Sequence, residues 1–352
     1  MINVGIVGVG FMGWIHYLAY EQVSGIRVSA IVSRDAKKRA GDWTSIKGNF
    51  GPPGRQVDLS DVKVYETLEQ MLADPDVDVV DLCLPPQMHL PAIEKCFAAS
   101  KHVFCEKPLA LSTSDCDRAI AASKKSGLHL MVGHVLPWFA EFRFAVDAIE
   151  SGKYGRLTGG VFKRIVSDPL WLQDYWDRQK VGGPLFDLHV HDAHLIRVLF
   201  GMPNHCFSSG RLRGGVTEFA HTIFQFAESD VTVSATTGSI DQQSRPFCHA
   251  YEIYLERATL QFELAAYSDG VEKIEAKLME SGGSGEDALI RRLVTENDDP
   301  VQAFASEVEE VRDSILSGQP SRVLDGILAR DAVAICEAQE ASIKSRELVA
   351  VG

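Results

Sequence analysis

An apolar run over residues 2–7 is followed at once by Gly8, Gly10 and Gly13, and then by residues 14–20, which suit a helix. This is G-x-G-x-x-G in a strand–turn–helix setting, and it restricts the fold more tightly than any other stretch. Gly8 permits the tight turn, Gly10 lets a pyrophosphate approach the backbone, and Gly13 lets helix and strand pack closely. The helix N-terminus adds backbone N–H groups and the positive end of the dipole, and Phe11 and Met12 within the glycine motif are counted among the cofactor contacts. A glycine-rich turn without a ligand is the plain alternative; the βαβ pattern that follows favours a dinucleotide site.

Further strands are expected at 26–32, 62–65, 77–84, 101–105 and 128–132. Between them helices are expected at 36–43, after Thr67 (with Gln70 three residues on, close to a capping box), at 89–99 and at 114–126. Residues 47–55, with Gly48, Gly51, Pro52, Pro53 and Gly54, read as a loop. Such alternation predicts an α/β fold in which residues 1–134 form a Rossmann domain with a doubly wound parallel sheet. Ligands of these sheets sit beyond the carboxyl ends of the strands. The candidates for cofactor contact at these strand ends are Ser33, Arg34, Leu84, Pro85, Glu106 and Lys107, with His134 a candidate for the substrate. An acid ending the second strand would accept from the ribose 2′-OH of NAD, whereas arginine there suits a 2′-phosphate. Arg34 stands at the exit and Asp35 one position later, so the cofactor reading is NAD(P) with a lean to NADP.

The pattern changes for residues 135–352, expected to form an α+β substrate-binding and oligomerisation domain, with room for the final helices to pack back on the first. Helices are expected at 136–151, 186–200, 301–317 and 326–345. A strand at 157–166 and alternating runs at 206–212, 218–227, 230–237, 250–256 and 258–264 predict an open, mainly antiparallel sheet. The short polar stretch 228–230 reads as a turn, and 281–285 as a flexible loop.

Within the helix predicted over 186–200, Asp187, His191 and His194 fall at i, i+4 and i+7 and share a face. A carboxylate one turn before an imidazole orients it and raises its pKa, which suits a general base. A solvated polar helix and a zinc site are the rivals. No H-E-x-x-H pattern or cysteine pair supports zinc, so no metal is expected. Lys107 at a strand end could polarise a substrate oxygen with Glu106 holding or tuning it; the bland alternative is a surface ion pair. Trp171, Tyr175 and Trp176 suit either the apolar face of a sugar or ordinary packing. Lys163 and Arg164 precede them and could reach substrate.

With 352 residues the chain has room for about two cores. Its net charge of −13 argues against nucleic acid or an anionic membrane as partner. Seven scattered cysteines, odd in number, read as reduced thiols. No apolar run approaches the roughly 20 residues of a membrane helix. With residues 2–7 read as a core strand no leader is expected, and the protein is expected to be soluble and cytoplasmic.

Taken together, three ordered motifs resemble the Gfo/Idh/MocA oxidoreductases over nearly the whole chain. They are the glycine fingerprint; Glu106-Lys107-Pro108, similar to the family's E-K-P; and Gly182-Gly183 followed by Asp187 and His191, similar to its G-G…D-x-x-x-H. The Pro85-Pro86-Gln87-Met88-His89 run looks like the family's T-P-N-x-x-H, with Leu84 and Pro86 replacing Thr and Asn, and this resemblance alone adds His89 to the candidates for cofactor contact. The resemblance implies that Lys107, Asp187 and His191 form the catalytic group on a substrate hydroxyl. His191 would take the hydroxyl proton while hydride passes to the nicotinamide, Lys107 would hydrogen-bond the same oxygen, and Asp187 would orient substrate or histidine. It also implies subunits paired through the open sheet, a homo-oligomer (dimer or tetramer). His194 stands where members often carry a second Asp, and His189 where they carry Gly. The substrate candidates are His134, Arg164, Trp171 and His194. The expected function is an NAD(P)-dependent oxidoreductase acting on a sugar, cyclitol or related polyol. A nicotinamide-dependent glycosidase with transient oxidation is the second class. A non-catalytic nucleotide-binding sensor is the third, and the presence of Lys107, Asp187 and His191 argues against it.

Overall fold

Residues 2–7 form the strand β1 (Ile2–Val7), buried along nearly its whole length as the centre of a parallel sheet must be. In the computed structural model, which describes residues 1–227, 230–280, 289–293 and 299–352, every element below is placed. The chain divides into two units: Met1–Phe139 with Asn297–Arg330, and Ala140–Glu296 with Asp331–Gly352.

In the first unit the chain alternates from β1 through α1 (Phe11–Gln22), β2 (Ile26–Val32), α2 (Ala36–Arg39), β3 (Lys63–Tyr65) and α3 (Leu68–Leu72). It continues through β4 (Val79–Leu82), α4 (His89–Ala98), β5 (His102–Glu106), α5 (Thr113–Ser126) and β6 (Leu130–Gly133). The six strands pair in parallel in the order β3-β2-β1-β4-β5-β6. The order reverses between β1 and β4, and at such a switch point a crevice opens beyond the strand ends. Helix α2 is shorter than the 36–43 expected, because Gly41 turns the chain at φ +82°. The expected capping box forms at α3, where Gln70 N donates to Thr67 Oγ1 and Thr67 N donates to Gln70 Oε1. Loop 47–55 folds back so that Trp14 Nε1 donates to Pro52 O (2.9 Å).

The second unit holds α6 (Ala140–Glu150), β7 (Leu157–Ser167), a widened π turn (Leu185–His189) running into α7 (Val190–Phe200), and a nine-stranded sheet. Its other strands are β8 (His205–Arg213), β9 (Val216–Gln225), β10 (Thr232–Ile240), β11 (Phe247–Leu255), β12 (Ala258–Tyr267), β13 (Gly270–Glu280), β14 (Leu289–Arg292) and β15 (Val349–Ala350). The order is β14-β13-β12-β11-β7-β10-β9-β8-β15. All pairs are antiparallel except β7–β10, which is parallel. The helix expected over 136–151 is broken: Phe139 takes an extended backbone between a 3₁₀ turn and α6. Strands β13, β14 and β15 lie beyond the runs expected from sequence. The loop expected at 281–285 and residues 228–229 of the expected turn lie outside the described residues.

Helix α8 (Pro300–Ser317) begins where Val301 N donates to Asp299 Oδ1 (2.9 Å) with Pro300 at its first position, and it packs on α1 in the first unit. Helix α9 (Gly326–Ser345) follows. All seven cysteines are free thiols. No described helix is long and apolar enough to cross a membrane.

Candidate functional site

At the switch point the chain leaves β1 through Gly8, whose φ of +98° favours glycine; a Cβ there would stand 2.4 Å from Cys83 O. A Cβ on Gly13 would stand 2.2 Å from Gly8 O, so both positions demand the bare backbone. Gly10 is different: a Cβ there would meet nothing within 4 Å. It is also the N-cap of α1, with no side chain capping the first-turn N–H groups. Gly10 itself borders a cleft of about 700 Å³ at the carboxyl ends of β1, β2 and β4. Open backbone at a helix N-terminus beside such a cleft fits a dinucleotide pyrophosphate.

Gly8, Gly10, Ser33, Arg34, Leu84 and Pro85 all line this cleft, so six of the expected cofactor residues come together. Arg34 is exposed. Asp35, also at the cleft, caps α2 by accepting from Lys37 N (2.8 Å). Lys38 lines the cleft too and donates Nζ to Val9 O (2.5 Å), tying α2 to the glycine turn. Arg39 Nη1 donates to Ser33 O (2.7 Å).

The other expected cofactor residues lie outside the cleft lining. Phe11 packs edge-on against Phe50 (4.9 Å), and Met12 packs on the core. His89 is fully buried, with ring nitrogens 2.7 Å from Leu84 O and 2.9 Å from Pro108 O, so it joins two strand exits. Burial lowers its pKa. Glu106 is buried too: Oε2 accepts from the backbone N–H of Lys107 (3.1 Å) while Oε1 lies 3.0 Å from His16 Nε2. Burial would raise its pKa, yet the His16 hydrogen bond and charge bring it below the ordinary range. His134, expected at the substrate, is 1% exposed at the end of β6.

In the second unit Gly182 (φ +83°) and Gly183 (φ +65°) turn the chain into the π turn; a Cβ on Gly183 would stand 2.6 Å from Val216 Cγ1. A π turn advances roughly 80° per residue against about 100° in an α-helix. Asp187 and His191 therefore still share a face, and both are half-buried. His194, expected on that face, is rotated roughly a quarter turn away, and it is fully buried.

Arg164, another expected substrate residue, is 5% exposed and donates Nε and Nη2 to Asp192 Oδ2 and Oδ1 (2.8 and 2.9 Å). Against the burial that would raise it, this guanidinium holds the Asp192 carboxyl at about 2. His189 Nδ1 lies 3.6 Å from the same carboxylate. Among the aromatics, Trp171 is 71% exposed. Tyr175 is buried, and Trp176 donates Nε1 to Asp168 Oδ1 (3.1 Å) beneath the Arg213 guanidinium, so these two pack. Lys163 Nζ donates to Glu263 Oε1 (2.6 Å).

The sequence reading passed over His16, Lys38 and Asp81. Asp81 is a lone acid in the apolar strand β4, and His16 stands amid the buried residues of α1; both were visible as charges in apolar company.

A family model described as an oxidoreductase family with an NAD-binding Rossmann fold matches residues 2–134, and a model of the GFO/IDH/MocA C-terminal domain matches residues 142–261. Myo-inositol 2-dehydrogenase of Thermotoga maritima is 28% identical over 201 residues, covering 57% of this chain and 55% of that protein. 1,5-Anhydro-D-fructose reductase of Ensifer adhaerens is 29% identical over 201 residues, covering 51% and 60%. The chain thus spans a little over half the length of these relatives. The solved structure of levoglucosan dehydrogenase in complex with NADH shares the fold at a TM-score of 0.81 and 19% identity, covering 100% of this chain and 99% of that one. The chain belongs to the Gfo/Idh/MocA oxidoreductase family.

Proposed function

We propose that the protein is an NAD(P)-dependent oxidoreductase that moves a hydride between the nicotinamide and a hydroxyl or keto carbon of a sugar, cyclitol or related polyol. The observation that carries this reading is the uncapped N-terminus of α1, with open space at Gly10, beside the cleft at the switch point. The two relatives named above, one a myo-inositol dehydrogenase and the other a sugar reductase, support the substrate class.

Bound NAD(P) supplies the hydride acceptor. The first-turn N–H groups of α1 and the bare backbone of Gly10 would hold its pyrophosphate, with Leu84 and Pro85 lining the same cleft. His191 takes the proton of the substrate hydroxyl on its imidazole. Lys107 Nζ donates a hydrogen bond to the same oxygen and stabilises charge that develops there. Asp187 orients the imidazole or the substrate. Trp171, exposed beside this motif in sequence, offers a flat apolar face to a sugar ring. Arg164, buried within its unit, holds α7 through its two hydrogen bonds to Asp192.

For the cofactor, NADP is favoured over NAD. The Asp35 carboxylate is engaged as the cap of α2, while Arg34 and Lys38 bring positive charge to the cleft. Subunits pair through the open sheet face, where Phe207, Ile223 and Val161 fall in one cross-strand row and are 42%, 53% and 42% exposed.

A panel of sugars and polyols with NADP and NAD, followed at the reduced-nicotinamide absorbance band, tests the reading. Substrate-dependent reduction of the cofactor is expected. Cofactor binding with no turnover on any sugar or polyol would replace the oxidoreductase by a sensor.

A further inference from the structure

Beneath Lys107 lies a buried group of charges that none of the steps above uses. His16, three residues past Gly13 on α1, is 1% exposed. Its Nδ1 lies 2.8 Å from Asp81 Oδ2 on β4, and its Nε2 3.0 Å from Glu106 Oε1 at the end of β5. Phe104 stacks on the ring at 5.3 Å and Phe304 of α8 tilts against it at 5.9 Å. A neutral imidazole has one N–H, so an acid at each ring nitrogen calls for the doubly protonated ring.

The other titratable groups facing it are Cys83, whose Sγ is 3.5 Å from Nδ1; Tyr20, which donates to Asp81 Oδ2 (3.1 Å); and Glu307 of α8. Burial alone would lower the His16 pKa, but the charge and hydrogen bond of Asp81 raise it well above the ordinary value. Burial raises the Glu307 carboxyl well above its ordinary range, which favours its neutral form.

His16, Asp81 and Cys83 also set three metal-ligating atoms within 4.8 Å of one another. Two ligands each about 2.1 Å from a tetrahedral ion stand roughly 3.4 Å apart. The 2.8 Å between Nδ1 and Oδ2 is a hydrogen-bond separation instead.

Glu106 divides its two oxygens between His16 and the backbone N–H of Lys107. A chain of contacts therefore runs from the helix that follows the glycine turn, through one carboxylate, to the backbone of Lys107. We propose that His16 is the positioning residue for Lys107: its ring anchors Glu106 so that the carboxylate holds the Lys107 peptide in one orientation. The catalytic consequence rests on the reading of Lys107 given above; the positioning itself is tested without it.

Glutamine at position 16 can set an amide nitrogen near the place of Nε2 and keep the Glu106 contact. Asparagine reaches only the place of Nδ1 and keeps Asp81 alone. Hydrogen exchange of the Lys107 amide in the cofactor-free protein reads the difference. In His16→Asn, exchange at Lys107 is expected to quicken by at least about tenfold, as loss of a charge-assisted hydrogen bond implies. Exchange at Val103 and Phe104 should move less than about threefold. In His16→Gln, Lys107 should stay within about threefold of wild type.

Equal acceleration in the two variants, acceleration spread over β5, or no change in His16→Asn would overturn the proposal. Should both variants fail to fold, Glu106→Gln decides. Facing an imidazolium donor, its amide must turn its oxygen to His16 and its NH₂ to Lys107 N. Exchange at Lys107 should then quicken about tenfold, and unchanged exchange would overturn the proposal. A Lys107→Ala variant that still turns over the wild-type substrate would remove the catalytic reading alone, because the exchange result does not depend on it.

Discussion

Gly10→Ala separates binding from folding more cleanly than any other change in the glycine turn. Its backbone is extended (φ −101°, ψ −157°), a conformation open to alanine, and the new Cβ would meet nothing within 4 Å. Alanine at an N-cap is less favourable than glycine by up to about 1 kcal/mol. Restriction of the unfolded chain returns about 0.4–1 kcal/mol. Stability should therefore stay within about 1 kcal/mol of wild type. The methyl group, however, would enter the open space at Gly10 beside the cleft, where the proposed pyrophosphate approaches the first-turn N–H groups. Losing one or two charge-assisted hydrogen bonds at about 1.5–3 kcal/mol each gives roughly 3 kcal/mol, or about a hundredfold rise in Kd. Titration with NADPH followed by fluorescence gives the affinity, and urea unfolding gives the stability. Gly13→Ala is the contrast: its Cβ would stand 2.2 Å from Gly8 O, so folding itself should lose about 1–3 kcal/mol. A folded Gly10→Ala protein that binds NADPH within threefold of wild type would refute the placement of the pyrophosphate.

Arg34→Ala should weaken NADPH by about tenfold or more while changing NADH little; equal loss for both nucleotides would remove the case for a 2′-phosphate contact. Asp192→Asn leaves a buried Arg164 with one amide oxygen and no counter-charge and should destabilise the protein by about 3–5 kcal/mol in urea at pH 7, and a loss under 1 kcal/mol would contradict the buried-pair account. The folded Asp192 carboxyl at about 2, against an ordinary 3.8, means its contribution is complete above pH 4 and fades as pH falls through 2. That gap is worth roughly 2–3 kcal/mol, so the acid limb of the stability profile should flatten in the variant. Ile223→Lys, in the exposed row with Phe207, should lower the mass measured by light scattering to that of a smaller assembly, and an unchanged mass would place any subunit contact elsewhere.

The Rossmann half was legible because its signals are local. Glycines at fixed offsets, apolar strands and a capping box each follow from backbone sterics and burial within a few residues. The strand ends at Ser33, Arg34, Leu84 and Pro85 followed from topology, and they line one cleft. Less legible was anything set by distant partners. A helical wheel put His194 with Asp187, but Gly182 and Gly183 lead into a π turn that rotates it into the interior. Arg164 read as a substrate contact because its partner Asp192 is 28 positions away in the chain. The parallel β7–β10 pair and the polar strand β13 escaped a reading based on alternation, since neither pairing partner nor direction is written in a strand's own residues. His16 was in plain view, but its two acids come from β4 and β5.

The most direct measurement is turnover on whichever sugar or polyol the substrate panel yields for the wild-type protein, taken together with NADPH affinity, for Lys107→Ala and His191→Ala. A fall in kcat of roughly 10²–10⁴-fold in each, with Kd for NADPH within about threefold, is expected of a hydrogen-bond donor and a base acting on the reacting oxygen. Turnover within a few-fold of wild type in either variant would contradict the assignment of the catalytic group.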